Sequence, residues 1–76
     1  MNELVTIRLV GYSDKWETIS AIKLIRERAC ISLRESKLLV EELIQGRVGS
    51  IQVRGHAFAE QFVYDAARCG LIAELG

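Results

Sequence analysis

Val5, Ile7 and Leu9 alternate with Thr6 and Arg8, a period of two that puts one face of residues 3 to 10 against a core. The pattern predicts a strand that stops at Gly11-Tyr-Ser-Asp14, where Ser13 or Asp14 is placed to cap a helix by accepting from its free amides. From Lys15 to Ala29 the period changes to 3.6: Ala21, Ile25 and Ala29 share a face, with Ile22 at its edge. Ser32-Leu-Arg-Glu35 has the spacing of a capping box, in which the serine oxygen takes an amide of the first turn and the glutamate reaches back to the serine amide. It opens a second predicted helix, 33 to 44, with Leu33, Leu39, Val40, Leu43 and Ile44 as its buried stripe and Leu38 on the opposite side. Gly46 is suited to ending that helix in a left-handed turn.

Residues 50 to 54 alternate briefly and predict a second strand. A third helix, 57 to 69, gathers Phe58, Ala59, Phe62, Ala66 and Cys69 on one side and Glu60, Gln61, Tyr64 and Arg68 on the other. Gly70 ends it, and residues 71 to 75 form a last strand. The order β-α-α-β-α-β has too few βαβ units for a doubly wound sheet. It predicts an α+β domain: one three-stranded sheet with three helices packed on one face.

With 76 residues, half of them hydrophobic, the chain is expected to be one small domain, 1–76, with a compact core and modest stability. No apolar run reaches the roughly 18 residues of a membrane span, so no membrane association is expected. Met1-Asn-Glu-Leu-Val5 leads straight into the first strand pattern, so no signal peptide is expected. Cys30 and Cys69, without a second pair, give no disulfide framework, and a reducing cytoplasmic location is the simplest expectation. The absence of proline, repeats and low-complexity stretches leaves nothing that reads as a linker.

The formal net charge is zero, but its distribution is uneven. Between Ser20 and Lys37 five basic residues (Lys23, Arg26, Arg28, Arg34, Lys37) face two acidic ones (Glu27, Glu35). From Leu38 onward three basic residues face five acidic ones. Local potential of this kind steers a partner even at zero net charge. Ile19, Ile22, Lys23 and Arg26 follow one another at spacings of three and four, so they form one patch on the first helix. Ile19 falls outside the core face, and an exposed isoleucine between cations has the character of a protein-docking site. Arg34 and Lys37 bring the cations of the second helix to the candidate surface. The plain alternative is a wide core stripe with a solvated basic edge.

Other residues carry weaker chemistry. His56 has no second His or Cys pair at metal-ligand spacing and reads as a turn or capping histidine. Arg26 and Arg28 lie near Cys30 in sequence, but a nucleophilic cysteine needs a base and the one histidine is in a distant segment. Gly46-Arg-Val-Gly49 matches the GxxG loop of KH-type RNA-binding domains, yet leads into a predicted strand instead of a helix. Tyr12 and Trp16, beside Lys15, could stack bases, but such a tryptophan more often covers a core edge. With no catalytic triad, constrained carboxylate pair or phosphate loop, the sequence predicts no enzyme, no cofactor and no metal site.

Two blocks also resemble a known family. Ile22-Lys23-x-Ile25-Arg26 and Leu33-Arg34-Glu35-x-Lys37-x-Leu39-Val40-Glu41 are similar, with no gap between them, to the C-terminal domain of the bacterial ribosomal large-subunit stalk protein, the seven/twelve family. There the pattern is hydrophobic-Lys-x-hydrophobic-Arg, then Leu-Lys-Glu-Ala-Lys-x-Leu-Val-Glu. Ala59-Glu60 and Ala67-Arg68-Cys69-Gly70 before Leu71 add a weaker match near the end. The resemblance implies a non-enzymatic arm that recruits translational GTPases through its two-helix surface. By motif, it assigns contacts to Lys23, Arg26 and Lys37, with the apolar Ile19 and Ile22 beside them.

The chain departs from that pattern at Thr18, where the family has lysine, and at Cys30 and Ser32, where it has two glycines in the inter-helix turn. A different or less permissive backbone is therefore expected at that turn. The family's N-terminal dimerisation segment and hinge have no counterpart in these 76 residues, so a stand-alone relative is expected.

The expected function is a protein-interaction module whose first two helices dock on a protein partner such as a translational GTPase or a ribosome-associated factor. A nucleic-acid-binding domain using the same basic helices is the alternative, weakened by the zero net charge. A protease-adaptor role follows only by fold analogy with the Clp adaptors. Leu38 suggests in addition a homodimer contact.

Overall fold

The computed structural model describes residues 3 to 75. Six elements follow one another: β1 (Leu4–Tyr12), α1 (Thr18–Ala29), α2 (Leu33–Ile44), β2 (Gly49–Arg54), α3 (His56–Arg68) and β3 (Leu71–Leu75). They form an α+β fold with the expected order, and the three strands make one antiparallel sheet in which β1 is central and β2 and β3 are the edges. Ile7 and Leu9 of β1, Ile51 and Val53 of β2 and Leu71 of β3 are buried, while Thr6, Arg8, Gln52 and Glu74 are exposed. The strand alternation thus resolves into one apolar face, covered by Ala21, Ile25, Val40, Leu43, Ala59, Phe62 and Ala66 of the helices, and one polar face.

Two boundaries differ from the sequence reading, for related reasons. The first strand does not stop at Gly11. It makes a bulge between Leu9 and Gly11 and continues, with Gly11 opposite Ile72 and Tyr12 opposite Leu71. Helix α1 does not begin at Lys15, and neither Ser13 nor Asp14 caps it: Glu17 occupies the cap position without a side-chain bond. Residues 13 to 17 are committed elsewhere. Ser13 N donates to Gly70 O at 2.8 Å and Glu17 N to Cys69 O at 2.9 Å, which ties this segment to the α3–β3 turn. Gly70 (φ +84°) allows the approach, because a Cβ there would lie 2.5 Å from the Trp16 amide nitrogen and 2.6 Å from the Lys15 carbonyl carbon. Half-buried Trp16 packs on the core edge, 5.3 Å from the Tyr12 ring, with its indole N–H on Thr18 Oγ1 at 2.8 Å.

The turn between α1 and α2 contains a left-handed residue that is not glycine. Cys30 takes φ 55°, ψ 42°, a conformation that costs a non-glycine residue about 1–2 kcal/mol. Ser32 is extended (φ −71°, ψ 161°), so glycine is not needed there. Its Oγ accepts from Glu35 N at 3.1 Å and caps α2 as expected. The return bond from the Glu35 carboxylate is not among the hydrogen bonds of the described residues. Gly46, at φ 87°, ends α2.

Three predicted core positions are corrected. Leu33 and Ile44 are each 44% exposed, because they lie at the two ends of α2, beyond the sheet. Phe58 is 66% exposed: it sits in the first turn of α3, against Gly55, before the helix crosses the sheet. Ser36 fills the stripe instead. It is fully buried at the helical spacing that leads to Val40 and Leu43, with its hydroxyl donating to Ser32 O at 2.9 Å.

Candidate functional site

Helix α1 turns Ala21 and Ile25 inward, which forces the residues two positions either side of them outward. Ile19 is accordingly 74% exposed, the most exposed large hydrophobic residue of the described chain. Lys23 and Arg26 are exposed on the same face. Ile22 is half-buried against the core, so it forms the inner margin of the patch and Ile19 its apolar tip. On α2, Arg34 and Lys37 are exposed and line a shallow depression with Leu33, Leu38 and Glu41. That depression is bordered by α2 residues alone.

The structure redistributes the charge counted along the chain. Arg28 leaves the cationic set: its guanidinium is 2.7 Å from Asp65 Oδ2 of α3 in a partly buried ion pair. The Arg28 hydrogen bond, helped by one from Gln61 at 3.0 Å, holds the Asp65 carboxyl below its ordinary range against the opposing effect of desolvation. Lys23, Arg26, Arg34 and Lys37 form no ion pair among the described residues. Thr18 is occupied as acceptor for the Trp16 indole. The acidic neighbours Glu27 and Glu35 line a different feature, an open groove of about 990 Å³ beside β2.

The remaining reactive side chains do not converge. His56 opens α3 with Nε2 3.6 Å from Glu60 Oε1. Among the described residues no three potential metal ligands come together. Cys30 is exposed, with its sulfur 3.8 Å from Glu27 O, while Cys69 is buried and burial pushes its thiol up, keeping it protonated. Gly46-Arg-Val-Gly49 leads into β2, not into the helix that a KH loop requires. Among the described residues no helix is long and apolar enough to cross a membrane.

No protein-family model matches the chain, and no curated protein matches its sequence. Sequence reasoning missed the Arg28–Asp65 pair and the groove beside β2, since both join segments far apart in the chain.

Proposed function

We propose that the protein is a non-enzymatic interaction module that docks on a partner protein through the outer face of α1, with the α2 cations setting orientation. The observation that carries this reading is Ile19, exposed between the α1 N-terminus and Lys23 and Arg26, cations with no ion-pair partner among the described residues. An apolar tip with cations beside it fits an apolar socket rimmed by carboxylates. The resemblance of the Ile22-Lys23-x-x-Arg26 and Leu33-to-Glu41 blocks to the stalk C-terminal domain makes a bacterial translational GTPase the first partner to test.

The test is binding of a purified translational GTPase to the native chain and two variants. Lys23→Glu with Arg26→Glu should leave folding within about 0.5 kcal/mol of native, because both side chains are exposed. It should weaken binding by several kcal/mol, the order of a like-charge mismatch across an interface. Ile19→Ala should also weaken binding, which separates docking from phosphate contact, where an isoleucine contributes little. A folded double variant that binds natively would exclude the α1 face as the site.

A further inference from the structure

We infer that the free edge of β2, with the groove beside it, is a strand-addition site for an extended peptide segment carrying lysine or arginine at alternate positions. This edge and groove share none of Ile19, Ile22, Lys23 and Arg26 with the α1 face.

The edge is defined by the ladder. β2 pairs with β1 in one uninterrupted antiparallel register, from Leu4 opposite Arg54 to Leu9 opposite Gly49. Gly55 N donates to Glu3 O at 2.8 Å, in register with that ladder. Bonded pairs alternate in an antiparallel ladder, so the odd-numbered residues of β2 bond to β1. The main-chain N–H and C=O groups of Ser50, Gln52 and Arg54 therefore point away from β1, and no backbone group among the described residues meets them. The strand has no proline and no bulge, the usual devices that protect an edge. By contrast, the pairing of the other edge strand, β3, is broken by the bulge between Leu9 and Gly11.

The groove explains what such a strand would carry. Its helical wall is one face of α2: Glu35, Leu38 and Glu42 follow at spacings of three and four, and Glu27 at the end of α1 extends it. Leu38 and Phe58, 51% and 66% exposed, give the groove its open apolar contacts. Three carboxylates with no ion-pair partner among the described residues stand against one guanidinium likewise without one, that of Arg54, because the Arg28 guanidinium is bound to Asp65. In a strand added to β2 every second side chain faces the helices. A lysine or arginine there satisfies both wall chemistries: its aliphatic stem packs on Leu38 and Phe58 and its cationic head reaches the carboxylates. Main-chain bonds supply affinity and the alternate side chains supply selectivity, as in other edge-addition complexes. A second copy of this chain is disfavoured as occupant, since β2-to-β2 pairing brings two sets of the same carboxylates together.

The probes are two eight-residue peptides with capped ends, one alternating lysine and threonine, the other glutamate and threonine. They are titrated into the isotope-labelled protein while amide exchange is followed by NMR. At saturation the lysine peptide should slow exchange at Ser50, Gln52 and Arg54 by about tenfold or more, and the glutamate peptide should not. Gln52→Pro removes an outward N–H without removing a bond to β1, and it should abolish binding of the lysine peptide. If that variant does not fold, Glu35→Lys with Glu42→Lys, both exposed on α2, serves instead and should weaken the lysine peptide by about tenfold or more. Equal binding of the two peptides, or lysine-peptide binding that leaves the three amides unprotected, would overturn the inference. So would concentration-dependent protection of these amides without peptide, which would assign the edge to a second copy.

Discussion

The outer face of α1 and the groove beside β2 lie on one small domain and have opposite characters. The first presents an exposed isoleucine tip and cations that form no ion pair among the described residues. The second is concave, with leucine and phenylalanine contacts, three carboxylates and an unpaired strand edge. Helix α2 carries both signs itself: Arg34 and Lys37 line one depression, Glu35 and Glu42 the groove on another side. A chain of zero net charge thus holds two surfaces of opposite sign by placing charges on different sides of the same helices. Charge counted along a segment conceals this, because neighbours in sequence are about 100° apart on a helix.

If the two surfaces share one rigid scaffold, damage to that scaffold should reach both. The largest effect is expected from Gly70→Ala. Its Cβ would meet the backbone of Lys15 and Trp16 at 2.5–2.6 Å in a left-handed conformation, and rigid backbone cannot yield cheaply. A loss of about 2–4 kcal/mol in denaturant unfolding is expected, with weaker binding at the α1 face, whose start the segment 13–17 positions.

Ser32→Ala comes next. It removes the cap from Glu35 N at the start of α2, and thermal or denaturant unfolding should show a loss of about 0.5–2 kcal/mol. Because α2 forms a wall of the groove beside β2, peptide binding there should weaken in this variant. Unchanged stability would mean that the cap contributes nothing.

A smaller effect comes from acid. Asp65 has its carboxyl depressed in the folded state, chiefly by Arg28. Its contribution to stability is present above the ordinary aspartate range and is lost as pH falls through the depressed folded value. Asp65→Asn should therefore flatten the acid limb of the stability–pH curve and converge on the native protein at the lowest pH. It should also free Arg28 beside the groove and reduce its preference for a basic peptide. An unaltered acid limb would show that the pair does not couple to folding.

Element order was legible in the sequence because each element carries its own period, and Ser32 and Gly46 mark their helix ends by chemistry that acts within a few residues. Lys23 and Arg26 were legible for the same reason, while for Ile19 the helical wheel left a wide core stripe open, and its exposure decides between the two. What stayed hidden depends on contacts across the chain. The delayed start of α1 follows from bonds to Cys69 and Gly70, and the extension of β1 from a bulge against β3. Ser36 had the right spacing for the core but the wrong polarity, offset by its bond to Ser32 O. Phe58 had the right polarity but sits before its helix reaches the sheet. The groove exists because β2 is an edge, a property of strand order that no local pattern reports.

The separation of the two surfaces is tested most directly by crossing two charge reversals with two ligands in one set of titrations. The variants are Lys23→Glu with Arg26→Glu on α1, and Glu35→Lys with Glu42→Lys on α2; the ligands are a purified translational GTPase and the lysine–threonine peptide. The α1 reversal should weaken binding of the GTPase and leave the peptide bound as in the native chain, and the α2 reversal should weaken the peptide and leave the GTPase bound. Folded variants that each lose both ligands, or neither, would contradict the account of two independent surfaces.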